Sequence, residues 1–468
     1  MELTIYGAGQ TVTGSLFQVK TQSTSFLIDC GLFQGNPAEQ VKRNLILDFD
    51  ASKIDYVILS HAHLDHCGRL PILVRSGFRG PIYATSATAE LCALLLRDVA
   101  KSEEEDASRA RIRRESTKKN QEYDFPPLFT THDADQVIKQ LRVTKYGVKK
   151  SLPGNVTLQF RDAGHILGSA ITEMWVEERE KVIHLVDSGD IGRKSAPIIR
   201  DPDFPSSARY LLCESTYANR THELLSKTIK RFERIIIKAY RHRSHILVPA
   251  FAIGRTQALI YALNLLVENT RVPVIPVAID SPLAIKATEI FKRHRECFDD
   301  ETWDLIESGD APLDFKGLQY VERQHESDNL SLQRGPIMII AGSGMMNGGR
   351  ILRHLYRRIE DNNTHVIVIG FQAPGTLGHR IVHGARTVTI YGKRKRVKAQ
   401  LERLYGFSAH ADKTELQAFL SGLRKDPPQT VFCVHGSPQA CRSLAKTAQR
   451  LLGVPAIAPR IGQRFILA

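Results

Sequence analysis

Four side chains able to bind a metal crowd into six residues at His61-Ala62-His63-Leu64-Asp65-His66, directly after the apolar run Asp55–Ser60. That run, DYVILS, reads as a short buried strand. In extended chain His61 and His63 project to the same side, while Asp65 and His66 turn toward a second point as a helix begins. Imidazole and carboxylate both suit zinc, at about 2.0–2.2 Å. A chance cluster of exposed polar groups is the competing reading, but exposed His and Asp seldom reach this density. A strand must therefore deliver this segment to a rigid place, and other strands must bring further ligands to meet it.

The rest of the chain supplies such strands. LTIYGAG, SLFQVKT and SFLIDCG are β-rich and separated by Gly or Ser/Thr turns. A helical pattern runs from Ala84 to about Asn120, and its charge-rich part, residues 101–122, reads as a solvated helix without a chemical role. Strands resume at VTLQFRDAG, AITEMWVEE and KVIHLVDSG. From about Ser244 the rhythm changes to strand alternating with helix, four times over, which reads as a parallel sheet with crossover helices. A last stretch holds TVTIYG, the basic run KRKR at 393–396 and two short histidine motifs. The chain of 468 residues is too long for one ordinary core.

Bulk properties narrow the partners. A net charge of +14 attracts polyanions, so nucleic acid is the first partner to consider. The seven cysteines form no CxxC pair and are odd in number, which fits reduced, buried thiols better than a disulfide framework. No apolar run is long enough to span a membrane. The start, MELTIYGAGQ, lacks the basic and apolar stretches of a signal peptide, which points to the cytoplasm.

The HxHxDH segment resembles the signature of the metallo-β-lactamase superfamily, and three further positions fit it: Asp29 in FLIDCG, His165 in DAGHILGSA and Asp190 in DSGDIG. Three more resemble the motifs of its nucleic-acid-processing β-CASP branch: Glu214 in LLCESTYANR, His410 with Asp412 in GFSAHAD, and His435 in CVHGS. The chain is similar to the prokaryotic homologues of the endonuclease subunit of the eukaryotic pre-mRNA 3′-end cleavage complex. The resemblance implies an α/β fold: an αββα metallo-β-lactamase sandwich with an inserted α/β (β-CASP) domain carrying a mainly parallel sheet. The boundaries expected are 1–217 and 386–468 for the sandwich and 218–385 for the insert. Ser437 departs from the family pattern, in which an acidic residue often follows this His-Gly.

Carried over residue by residue, the resemblance implies two Zn2+ per chain. His61, His63 and His165 would hold one, Asp65, His66 and His435 the other, and Asp190 would bridge them. A hydroxide shared by the two metals would attack phosphorus, with Asp65 in the catalytic set. His410, held by Glu214, would be the general acid, and Asp29 would orient a ligand histidine. The implied activity is zinc-dependent hydrolysis of single-stranded RNA by an endonuclease, with 5′-3′ exonuclease action as a second mode. A DNA nuclease of the same branch is the alternative, and hydrolysis of a small thioester or lactam is a more distant one. Strand-end loops of the insert place Arg255, Ser343, Arg350 and Arg380 where a phosphate backbone could bind, although each also suits a tight turn or helix cap. The KRKR run could steer RNA or simply be solvated. A homodimer, and protein partners that supply specificity, are compatible with all of this.

Overall fold

A computed structural model describes residues 1–35, 37–117, 126–178, 181–370 and 372–468. The chain forms two compact units: Met1–Lys194 with Asp201–Thr221 and His410–Ala468, and Ser195–Arg200 with His222–Ala409.

In the first unit, two seven-stranded sheets lie face to face. One runs in the order 464–466, 2–5, 17–20, 25–28, 56–58, 82–84, 141–143. The other runs 456–457, 430–434, 210–214, 181–187, 170–178, 156–162, 150–152. Phe17, Val19, Phe26 and Ile58 of the first sheet share a core with Phe160, Met174, Leu185 and Phe432 of the second. The outer face of the second sheet is covered by Leu416, Phe419, Leu420 and Leu444 from helices Lys413–Gly422 and Pro438–Leu452. Helices Leu70–Arg75, Ser86–Thr117 and Thr131–Gln140 pack on one another beside the first sheet. The result is the expected αββα sandwich. Strands such as Tyr56–Ile58 are buried throughout, as strands covered on both faces should be. The long helix carries the charge-rich segment to Thr117, and residues 118–122 lie outside the described residues.

Direction is what positions the site. Ser25–Ile28 pairs parallel with Tyr56–Ile58, and Tyr210–Glu214 pairs parallel with both Lys181–Asp187 and Thr430–Val434. Their C-terminal ends thus fall along the same edges; Glu214 closes its own strand, and the loops that leave the others carry Asp29, His61, Asp190 and His435.

The second unit is built on a six-stranded, wholly parallel sheet in the order 318–320, 277–279, 337–341, 245–249, 364–368, 400–403. Its three central strands, His245–Pro249, Ile337–Ala341 and Thr364–Val368, are buried along their whole length, as the apolar runs in the sequence require. This unit continues to Ala409 instead of ending near 385. The cause is local: Gln400–Arg403 adds to the sheet edge by pairing parallel with His365–Val368, so KRKR and its neighbours stay with the second unit.

Candidate metal centre

The centre grows from one carboxylate. Asp29 leaves its strand with φ 58, a left-handed conformation that Asp tolerates better than most residues. Its buried Oδ1 accepts the Ser60 backbone N–H at 2.8 Å, and Oδ2 accepts the Ser60 hydroxyl at 2.9 Å. The same Oδ2 lies 2.6 Å from Nδ1 of His66. With Nδ1 engaged, His66 turns Nε2 inward, to 3.2 Å from His435 Nε2 and 3.4 Å from Asp190 Oδ1.

His61 sets its Nδ1 against the Ser60 hydroxyl at 3.0 Å and its Nε2 3.1 Å from Nδ1 of His63. His165 brings Nε2 to 3.2 Å from that same His63 nitrogen. His435, also left-handed at φ 48, places Nε2 3.6 Å from Asp65 Oδ2 and Nδ1 3.1 Å from Asp190 Oδ1. Two donor sets result: His61, His63, His165 and Asp190, then Asp65, His66 and His435, with potential ligand atoms inside each set no more than 4.8 Å apart. Asp190 faces both. Its Oδ2 points at His61 and His165, at 3.5 and 3.6 Å, and its Oδ1 at His66 and His435.

The donor chemistry fits a cation. Three pairs of imidazole nitrogens meet at 3.1–3.2 Å, and His63 Nδ1 belongs to two of them. A neutral imidazole has one donor and one acceptor nitrogen, so these pairs cannot all be good hydrogen bonds. Metal ions accepting the converging lone pairs remove the conflict.

Charge is balanced accordingly. Burial and the neighbouring His66 hold His61 well below the ordinary imidazole range, and burial holds His63 at about 4, so both keep a lone pair at neutral pH. Burial also opposes protonation of His66, but Asp190 and Asp29 overcome it and raise the ring well above its usual value. Burial opposes ionisation of Asp190, yet His435, His66 and His410 keep that carboxylate well below its usual range. Metal entry therefore has to displace a proton from His66.

Next to the two sets stands a third group. Glu214 is fully buried, with Oε1 accepting the Ile191 N–H at 2.8 Å and Oε2 the Thr216 N–H at 3.1 Å. That fixed carboxylate lies 3.3 Å from Nδ1 of His410, whose side chain is 17% exposed. The His410 ring packs 4.4 Å from that of His165, and its Nδ1 lies 3.9 Å from Asp190 Oδ2.

Sequence reasoning missed some participants. Ser60 ties Asp29, His61 and His66 together, and its signal was its place just before the first histidine. Thr216 Oγ1 lies 3.2 Å from His435 Nδ1 and donates to the His435 carbonyl at 3.1 Å. Asp187, the first carboxylate of DSGD, is buried and pushed up to about 8 by burial and then by Asp29. Ser437 has a structural role: its hydroxyl caps helix Pro438–Leu452 by accepting the Ala440 N–H at 3.2 Å.

The four positions proposed for backbone contact lie in the second unit. Arg350 is engaged there, its guanidinium donating to Asp280 Oδ1 at 2.7 Å and to the carbonyls of Val321 and Glu322. Ser343 accepts the N–H groups of Asn347 and Gly348, which closes its Gly-rich loop. Arg255 donates to the Phe407 carbonyl at 2.7 Å, and Arg380 is exposed.

Comparison with known proteins agrees with this architecture. Residues 12–165 match the metallo-β-lactamase superfamily, 256–381 the β-CASP domain, and 394–459 a family described as a Zn-dependent metallo-hydrolase RNA specificity domain. A ribonuclease of Thermus thermophilus is 34% identical over 446 residues, covering 95% of each chain. The transcription termination factor FttA of Methanosarcina mazei is 27% identical over 97% of this chain and 70% of that protein. The crystal structure of a protein of unknown function from Enterococcus faecalis V583 shares the fold, with a TM-score of 0.54 at 13% identity over 100% of this chain and 99% of that one. A metallo-β-lactamase core carrying a β-CASP domain is thus the class that fold and sequence define. The chain belongs to the β-CASP branch of the metallo-β-lactamase superfamily, among its prokaryotic members.

Proposed function

We propose that this chain is a zinc-dependent ribonuclease that hydrolyses phosphodiester bonds in single-stranded RNA, using two zinc ions. The observation that carries the reading is Asp190, which turns one oxygen toward each of two histidine-rich donor sets and lies beside the Glu214–His410 pair. The relatives named as a ribonuclease and as transcription termination factors support RNA as the substrate, and the +14 net charge supports a polyanion. His61, His63 and His165 would hold one zinc and Asp65, His66 and His435 the other, with Asp190 facing both. Zinc bound there supplies Lewis acidity to the phosphate oxygens and makes hydroxide available near neutral pH.

The chain's own groups do the rest. Asp29 holds the proton on His66 Nδ1 and so keeps Nε2 for the metal. Glu214 at Nδ1 of His410 steadies the protonated imidazolium, which gives its Nε2 proton to the departing ribose 3′ oxygen. The products carry 5′-phosphate and 3′-hydroxyl ends. The same site serves internal cleavage and 5′-3′ trimming. Arg255, Ser343 and Arg380 contact the RNA backbone, and Arg350 acts indirectly by fixing the ends of its loop. Seven buried free cysteines suit a reducing cytoplasm. Among the described residues no helix is long and apolar enough to cross a membrane.

Elemental analysis of zinc-reconstituted protein tests the two-metal claim. About two zinc ions per chain are expected, and about one in His66→Ala. A content at or below one that His66→Ala leaves unchanged would refute it.

A further inference from the structure

The KRKR run forms half of a two-stranded ribbon that the reaction above does not use. Thr387–Ile390 pairs antiparallel with Lys393–Arg396, joined by Tyr391 and Gly392. Both turn residues have positive φ, 51 and 74, which marks a tight turn matched to the twist of the strands. The register decides which side chains face where. Val388 and Ile390 are buried in the core of the second unit, so that face of the ribbon is anchored. The opposite face carries the cross-strand pairs Thr387–Arg396 and Thr389–Arg394.

Charge on this ribbon is one-sided. From Arg386 to Lys398 there are six basic residues and no acidic one. Lys395, on the anchored face, is committed: its ammonium meets Glu360 at 3.0 Å and lies over the Tyr356 ring at 4.3 Å. Arg394 and Arg396 are exposed on the other face; the Arg396 backbone N–H donates to Glu360 at 3.0 Å, but among the described residues no carboxylate forms an ion pair with either guanidinium. Two guanidinium groups on one exposed face repel each other, and an anionic partner relieves that repulsion. Two residues apart on one strand, they repeat at roughly 6.6 Å, a step comparable to that between phosphates of an extended single strand. Tyr391, 60% exposed at the tip, sets its ring edge-on to Tyr356 at 5.8 Å and leaves most of it open to solvent. Arginines that track a backbone next to an exposed ring are the elements of sequence-tolerant single-strand binding.

We propose that this ribbon is a docking surface for single-stranded RNA, in which Arg394 and Arg396 bind successive phosphates and Tyr391 stacks on a base. The proposal rests on the RNA-hydrolysis reading for its biological sense, but its test does not. Binding of a fluorescent 30-nucleotide oligouridine is measured by anisotropy across a salt series, in protein made inactive by His410→Ala. Arg394→Ala with Arg396→Ala should lower the log–log salt slope by about 1.4, that is about 0.7 per lost phosphate contact. Tyr391→Ala should weaken binding about fivefold or more with the slope unchanged. Lys446→Ala with Arg450→Ala removes the same net charge from an exposed helix face elsewhere and should leave the slope as it is. In the active protein, the ribbon variants should cleave long RNA with a raised KM and an unchanged kcat. Equal slopes for the ribbon and control variants, or unchanged RNA binding by the ribbon variants as expected of a site for an acidic protein, would overturn the proposal. If the active protein cleaves no RNA at all, the functional reading fails, and the binding result still decides the ribbon.

Discussion

Replacing Asp29 by Asn changes one atom and should unseat one metal. Asp29 Oδ1 accepts the Ser60 backbone N–H at 2.8 Å, a bond that the amide oxygen of Asn can keep. The amide nitrogen must then occupy the position of Oδ2, 2.6 Å from His66 Nδ1. An N–H donor there makes Nδ1 an acceptor and moves the ring proton to Nε2, which faces Asp190 and His435. Zinc must then displace that proton and hold the ring in the tautomer its new partner disfavours. Loss of such an orienting partner typically costs about 10–100-fold in metal affinity, or about 1.4–2.7 kcal/mol. The loss should fall on the Asp65–His66–His435 set and leave the His61–His63–His165 set within about threefold. Competition with a chromogenic chelator resolves the two constants, and circular dichroism checks that the variant is folded. Unchanged affinity, or equal weakening of both sites, would refute the tautomer argument.

Three other outcomes are expected. His410→Ala should lose about 10²–10⁴-fold in turnover while keeping both zinc ions and RNA affinity, and a 3′-thio leaving group, which needs little protonation, should rescue it; zinc loss or failure of rescue would make His410 a ligand or a scaffold residue. Gly31→Ala places a Cβ 1.6 Å from the Asp65 carbonyl oxygen, so denaturant titration should show a loss of more than about 3 kcal/mol together with weakened zinc at the adjoining site. Buried His365 is held at about 4 by burial and by Lys238 and His242, against 6.5 when exposed. Its folded-state value is depressed, so protonation favours the unfolded chain, and relative to His365→Leu the wild type should lose up to about 3 kcal/mol as pH falls from about 6.5 to 4; parallel stability curves for the two proteins would contradict this.

Much of the centre was legible because its ligands leave strand ends. A strand of period two followed by alternating histidines predicts that His61 and His63 project to one side, and their ring nitrogens come within 3.1 Å of each other. The sandwich and the parallel sheet were legible through the family motifs and through apolar runs alternating with helices. What escaped depends on approach in three dimensions. Nothing in the spacing says that Ser60 serves three side chains at once, or that Thr216 comes to lie beside His435, 219 positions away. The second unit runs on past the expected 385 to Ala409 because Gln400–Arg403, short and polar in sequence, pairs with His365–Val368. In sequence both Arg350 and the KRKR run suited either RNA contact or a bland surface role, whereas the structure separates Arg350, spent on Asp280, from Arg394 and Arg396 on an open face.

The claim that two donor sets around Asp190 make this chain a ribonuclease is tested most directly by incubating zinc-reconstituted protein with 5′-labelled single-stranded RNA and the matched DNA. RNA cleavage is expected to leave 5′-phosphate and 3′-hydroxyl ends, to stop with chelator, to return with added zinc, and to be absent in Asp190→Asn, with the DNA left intact. Cleavage that survives full removal of metal, or a protein holding two zinc ions that leaves every RNA uncut, would contradict it.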